Sequence, residues 1–179
     1  MSKPVIWITR TLSNATLERA RRDYEGIWDA ADPPGSAEDI IKMSASVDGI
    51  IPCHSEHFSA DVVAQLDPRL KIVANHSVGV DHCDLDALRG KGIVVTNTPE
   101  VLTETTADMA WALIMATCRR IAEGDDFLRS GTPWDWAPLM MLGADVHGKT
   151  LGILGLGRIG QGVARRARGF NMKVIYYDA

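Results

Sequence analysis

The stretch that most restricts how this chain can fold is Lys149 to Ala179, KTLGILGLGRIGQGVARRARGFNMKVIYYDA. The apolar run Leu151-Gly152-Ile153-Leu154 has the length of a buried strand. It leads into Gly155-Leu156-Gly157-Arg158-Ile159-Gly160, a complete G-x-G-x-x-G, and a helix is predicted over Gln161–Phe170. A second apolar run, Val174 to Tyr177, then stops at Asp178. Gly155 permits a tight turn and Gly157 lets backbone approach a pyrophosphate. Gly160 allows the helix to pack close to the strand, and the helix N-terminus offers free N–H groups to phosphates. Asp178 falls 18 residues after Gly160, where a carboxylate can accept hydrogen bonds from the ribose hydroxyls of NAD. A glycine-rich turn in some other α/β protein, with Asp178 a mere polar strand end, is the alternative. The flanking strands, the helix and the acid together favour a dinucleotide site. A doubly wound dinucleotide domain uses about six strands. This stretch supplies the first two, so an incomplete cofactor domain is expected.

Upstream, strand and helix alternate. Strands are predicted at Pro4–Thr9, weakly at Gly26–Trp28, and at Gly49–Ile51, Leu70–Asn75 and Gly92–Thr96. The intervening helices run over residues 15–24, from Ser36, over Ser59–Leu66 and over Leu85–Arg89. Ser13 or Asn14 can cap the first, and Ser36 with Asp39 three residues on forms a carboxylate variant of the capping box. Such alternation argues a parallel sheet covered on both faces. The fold class expected is therefore α/β, with residues 1–100 as one small domain and 101–179 as the first part of another.

From Thr103 to Arg120 the sequence predicts a long helix, with Glu104 and Arg119-Arg120 placed to complement its dipole. Met109 to Met115 leaves almost no polar face, so burial against another surface or subunit is expected. Residues 131–148 carry Trp134, Trp136, Met140, Met141 and Leu142 without helical or strand period, and they read as a docking segment.

Composition narrows the class of partner. A formal charge of −4 with no basic tract argues against nucleic acid. No apolar run approaches a membrane span, and the N-terminus lacks a signal-peptide layout. Three scattered cysteines suit a reducing cytosol, so a cytoplasmic location is expected.

Three blocks, Ser77-Val78-Gly79-Val80-Asp81-His82, Thr96 to Arg120 and Gly152 to Ala167, resemble the D-isomer-specific 2-hydroxyacid dehydrogenases, in particular their glyoxylate/hydroxypyruvate reductase branch. The likeness extends over nearly the whole chain and is weakest before about residue 45. It implies an enzyme that reduces small 2-keto acids with NADH, or with NADPH in its place, and that works as a homodimer. Residues 1–100 would be a flavodoxin-like substrate domain without its usual C-terminal helix, followed by the first half of a Rossmann domain. Val78 and Gly79 match a loop that gives N–H groups to the substrate carboxylate. A glycine after a strand is also a natural anion site, or else a plain turn. Thr106 matches a cofactor-touching threonine, a helix cap being its alternative. Arg158 and Ile159, next to Leu156 in the glycine loop, match residues whose N–H groups hold the pyrophosphate. Trp136 matches a tryptophan that reaches into the partner subunit's substrate pocket.

The same resemblance places the family's catalytic arginine, glutamate and histidine past Ala179. No catalytic residue is therefore expected in this chain, which would be truncated and silent alone. None of His54, His57, His76, His82 or His147 matches the catalytic position. His54-Ser55-Glu56-His57 lacks the further His or Cys cluster of a metal site, so no metal is expected and a place along the substrate cleft is preferred. Arg165, Arg166 and Arg168 read as a solvated helix face, and Cys83 and Cys118 as inert thiols. An NAD-sensing, corepressor-like interaction protein of the same fold is the competing function.

Overall fold

The computed structural model describes residues 2–179. The chain divides into two compact units, Met1–Pro99 and Glu100–Ala179. The first unit contains strands β1 (Val5–Ile8), β2 (Glu25–Ile27), β3 (Gly49–Ile51), β4 (Ile72–Ala74) and β5 (Val94–Thr96). Between them lie helices α1 (Asn14–Asp23), α2 (Ala37–Ser44), α3 (Ala60–Ala64) and α4 (Leu85–Gly90). The strands form one sheet in the order β2-β1-β3-β4-β5, every pairing parallel. That is the flavodoxin-like doubly wound order.

Strand β1 shows how the sheet gains an apolar cluster on each side. Ile6 and Ile8 join Leu17 and Ala20 of α1, while Val5 and Trp7 pack against the cluster of Ile40, Ile50, Phe58, Val73 and Leu88. Alternate side chains of a strand face opposite ways, and both faces here are covered by helices. The helix starts follow the capping chemistry of the sequence. The Ser13 side chain accepts from Thr16 N at the head of α1. Ser36 and Asp39 complete both halves of the capping box at α2.

The second unit contains α5 (Thr103–Cys118), α6 (Ile121–Arg129), β6 (Thr150–Leu154), α7 (Arg158–Ala167), a 3₁₀ turn at Arg168–Phe170 and β7 (Lys173–Tyr177). Strands β6 and β7 pair in parallel around α7, making a βαβ unit. Three details differ from the sequence reading. The long helix ends at Cys118, not Arg120, because Arg120 adopts a left-handed conformation at φ 53° and starts α6. Arg119 and Arg120 thus lie outside the last turn, and Arg120 binds Glu123 instead. Helix α6 itself is not legible in the sequence: Gly124 and a pair of aspartates dilute its apolar stripe, and none of its residues is buried. Helix α7 begins three positions before Gln161, with Gly160 in its first turn.

Helix α5 is not buried all round. Ala107 and Trp111 are buried, whereas Met109 and Leu113 are each 60% exposed. Its covered stripe meets α7, where Gly162 leaves so little room that an added Cβ would lie 3.0 Å from that of Ala107. Trp111 donates from Nε1 to the Val163 carbonyl at 3.0 Å and stacks on Phe170 with ring centroids 4.6 Å apart. Of the three arginines read as a solvated face, Arg165 and Arg168 are exposed, whereas Arg166 is only partly so. Arg166 reaches Asp108 and Glu104 of α5, and Arg165 also binds Glu104. Residues 131–148 hold no helix or strand. Val146 is buried in the same cluster as Trp111 and Ala167, and Ala144 donates to the Cys118 carbonyl at the end of α5. Trp134, Trp136, Leu139 and Leu142 remain exposed.

Candidate functional site

In the second unit, the glycine loop sits between the end of β6 and the start of α7. Gly155 has φ +89°, a conformation that costs glycine little and other residues much. Gly157 is the N-cap of α7 and supplies no side chain to the four free N–H groups of the first turn. No acid occupies that turn, so the positive end of the helix dipole faces an unneutralised space. A Cβ built on Gly157 would meet nothing within 4 Å. Gly160 is the opposite case, because its Cβ would fall 2.1 Å from the Gly155 carbonyl oxygen.

The loop is tied to the end of β7. Leu156 N donates to Asp178 Oδ1 at 3.0 Å, and Gly155 N donates to the Tyr177 carbonyl at 2.8 Å. Asp178 is thus held beside the glycines, and its second carboxylate oxygen makes no hydrogen bond among the described residues. Arg158 lies 3.4 Å from Glu100. An open first turn, a glycine with free space above it and an anchored carboxylate fit the pyrophosphate and ribose of a dinucleotide. Thr106 sits in α5 one turn past the N-cap position, which Leu102 occupies, so it is not the helix cap. Trp136 is 77% exposed.

In the first unit, the loops that matter leave the C-terminal ends of β1, β3 and β4, the edge at which open α/β sheets bind ligands. The Val78 carbonyl accepts from Asn97 Nδ2 at 2.9 Å, and the Gly79 carbonyl accepts from Ser77 Oγ at 2.7 Å. The N–H groups of Val78 and Gly79 donate to no acceptor among the described residues.

Glu56, in the sequence only one member of a polar loop, is fully buried. Its carboxylate accepts from Thr9 Oγ1 at 2.6 Å, Ser55 Oγ at 2.7 Å, Cys53 N at 2.8 Å and Gly35 N at 3.2 Å. Burial, the largest single influence, pushes its pKa up, but the hydrogen bonds from Thr9, Ser55, Cys53 and Gly35 together outweigh it and the group is held below its ordinary range. Glu56 thus binds three loops together as an ionised carboxylate.

Beside it, His54, Asp81 and His82 gather from two loops, each offering one ligand-capable atom within 4.8 Å of the others. No local pattern signals this cluster, because His54 and His82 are far apart in the chain and only the parallel pairing of β3 with β4 brings their loops together. His82 is buried and its Nε2 lies 2.9 Å from Asn75 Oδ1. Its Nδ1 is buried without a partner. Burial, then the charge of His54, lower its pKa. Cys53 and Cys83 are free thiols with raised pKa values, burial being the main cause in each, so neither is an activated nucleophile.

Comparison with known proteins fits this geometry. The family model described as D-isomer specific 2-hydroxyacid dehydrogenase, catalytic domain, matches residues 6–171. The glyoxylate reductase of Thermococcus gammatolerans is 45% identical over 183 aligned positions, covering 98% of this chain and 54% of that protein. A crystal structure of the TT0316 protein from Thermus thermophilus superposes with a TM-score of 0.85 at 42% identity, over 96% of this chain and 55% of that one. A Polaromonas structure, described as a D-isomer specific 2-hydroxyacid dehydrogenase, NAD-binding, gives a TM-score of 0.88 at 34% identity over 97% and 55%. The chain spans about half the length of the curated relatives it matches. No helix among the described residues is long and apolar enough to cross a membrane.

Proposed function

Because the chain belongs to the D-isomer specific 2-hydroxyacid dehydrogenase family, we propose that it is part of an NAD(P)-dependent oxidoreductase acting on a small 2-keto acid, glyoxylate or hydroxypyruvate. In this reading residues 1–100 form the substrate domain and residues 101–179 open the cofactor domain. The observation that carries it is the glycine loop of β6–α7, with its unneutralised first turn and Asp178 anchored beside it. The N–H groups of Arg158, Ile159 and Gly160 would hold the pyrophosphate. Leu156 would stay engaged with Asp178, leaving the second oxygen for a ribose hydroxyl. Val78 and Gly79 would turn their free N–H groups to the substrate carboxylate, and Thr106 would touch the cofactor. When bound, the dinucleotide supplies hydride to the keto carbon. None of the five histidines of this chain is assigned the proton transfer. The test is glyoxylate-dependent oxidation of NADH by a chain of the family's full length. Dinucleotide binding without turnover of any 2-keto acid would instead favour a sensing role.

Cofactor choice follows from Asp178. A 2′-phosphate would meet a carboxylate where the 2′-hydroxyl finds an acceptor, so NAD should be preferred over NADP. Asp178→Ala is expected to shift the ratio of kcat/KM for NADPH over NADH upward by about tenfold or more, one charge contact amounting to roughly 1.4 kcal/mol. A wild type that already uses NADPH at least as well as NADH would refute the assignment.

Trp136 is proposed to act across a homodimer interface, since it stands exposed on an irregular segment with Trp134, Leu139 and Leu142, a grouping of apolar side chains typical of interfaces. In the full-length enzyme, Trp136→Ala should widen acceptance toward bulkier 2-keto acids and leave the NADH Kd within about twofold of wild type, because a pocket-wall contact does not touch the cofactor. Unchanged relative rates for glyoxylate and a longer 2-keto acid would count against it.

A further inference from the structure

We propose that His54, Asp81 and His82 form a binding site for a divalent first-row transition-metal ion, zinc being the best match. Two imidazoles and a carboxylate are a donor set that suits such ions. The three donor atoms already lie within 4.8 Å of one another, and His54 Nε2 is 3.9 Å from Asp81 Oδ2. Bonds of about 2.0–2.1 Å to a tetrahedral ion require donor separations of roughly 3.4 Å. His54 and Asp81 are exposed side chains on loops, and rotamer changes can close a gap of that size.

The fixed member is His82. Its ring is buried, and the Asn75 carbonyl oxygen, an acceptor, places the proton on Nε2. Nδ1 is left with a lone pair and no hydrogen-bond partner, which is costly for a buried polar atom. An imidazole whose far N–H is held by a carbonyl, fixing its tautomer, is the usual state of a metal-binding histidine. The His54 and His82 rings lie 5.3 Å apart between centroids. The backbone sets the spacing of their loops, since Phe58 N donates to the His82 carbonyl and Asp84 N to the Phe58 carbonyl, both at 2.8 Å. His57, at 6.4 Å from the His82 ring, stands as a further imidazole at the rim. The open positions of the ion would be filled by water. The hydride transfer proposed above assigns no role to these three side chains.

The test is titration of chelator-treated protein with Zn²⁺ by calorimetry and with Co²⁺ by visible absorption. A single site per chain is expected, with Co²⁺ giving the ligand-field bands of a low-coordinate ion. His54→Ala and Asp81→Asn, both at exposed positions, should each weaken Zn²⁺ binding by about tenfold or more. Cys53→Ser, which removes the thiol 4.0 Å from His76, should leave the affinity unchanged. Absence of saturable binding, equal affinity in the His54 and Asp81 variants and wild type, or loss of binding with Cys53→Ser alone would each overturn the proposal.

Discussion

Replacing Gly160 with alanine is expected to weaken NADH binding by about 10- to 100-fold and to destabilise the second unit as well. The new Cβ would stand 2.1 Å from the Gly155 carbonyl oxygen and 3.1 Å from its carbon, with Ile153 Cγ2 at 3.4 Å. The first two are backbone atoms of the very turn that carries the glycine loop, so no rotamer change relieves the clash. Overpacking of this kind costs about 1–3 kcal/mol. A loop displaced to relieve it must be forced back when the pyrophosphate binds, and each 1.4 kcal/mol is about tenfold in affinity. Gly157→Ala separates fold from ligand. Its Cβ would meet nothing within 4 Å, and at φ −64° alanine fits without strain. Stability should stay within about 0.5 kcal/mol of wild type, while NADH affinity falls because the methyl stands where the pyrophosphate must approach. Fluorescence titration with NADH and urea unfolding of both variants decide the matter. Unchanged affinity in Gly157→Ala would remove the cofactor from this loop, and unchanged stability in Gly160→Ala would contradict the packing.

The second large effect belongs to Glu56. Removing it by Glu56→Ala strands buried donors on Thr9, Cys53 and Gly35, and opens a cavity at a fully buried position. Each buried donor left without its acceptor costs about 1–3 kcal/mol, so losing the acceptor of several is a large part of the roughly 5–15 kcal/mol that typically stabilises a domain. The urea midpoint of the first unit should fall accordingly, and a midpoint within experimental error of wild type would refute this role. Glu56→Gln keeps the volume but offers an amide N–H₂ where the site has only donors, so it should also destabilise. The two proteins will differ in pH response. A carboxylate whose folded pKa lies below its unfolded value, ordinarily near 4.5, contributes stability that is complete above that value. The contribution is lost as pH falls through the folded pKa, because the unfolded state then binds more protons. Wild type should therefore lose more stability than Glu56→Gln between neutral pH and the acid range below about 4.5. Parallel acid curves would mean that the fold does not hold the Glu56 pKa below its unfolded value.

Legibility in the sequence follows the range of the interaction. The alternation of apolar runs and capped helices predicts the parallel α/β unit, because each strand and cap is written in a handful of consecutive residues: Ser36 and Asp39 are three apart. The glycine loop is equally local, and Asp178 is found through a fixed offset from it. What stays hidden depends on residues brought together by strand order. Glu56 looks like any loop acid until Thr9 and Gly35 arrive from elsewhere in the chain. His54 and His82 look unrelated until β3 and β4 pair. Arg166 reads as solvated because its partners, Glu104 and Asp108, sit on α5 some sixty residues earlier. Helix α6 escapes for a different reason. Only Arg119 and the left-handed Arg120 separate it from α5, and no glycine or proline marks the break.

The strand order of the first unit also bears on how the protein is made. Strand β1 takes its two neighbours from β2 and β3, the next strands in the chain. Afterwards β4 adds to β3, and β5 to β4. On the ribosome, then, every strand after the first finds its pairing edge already synthesised, and no strand waits for a segment beyond Pro99. Domains that complete themselves in this order can acquire structure as they emerge, N-terminal unit first. The sheet can be assembled while Glu100 and the glycine loop are still to be translated, which shortens the time its growing edge is open to pairing with other nascent chains.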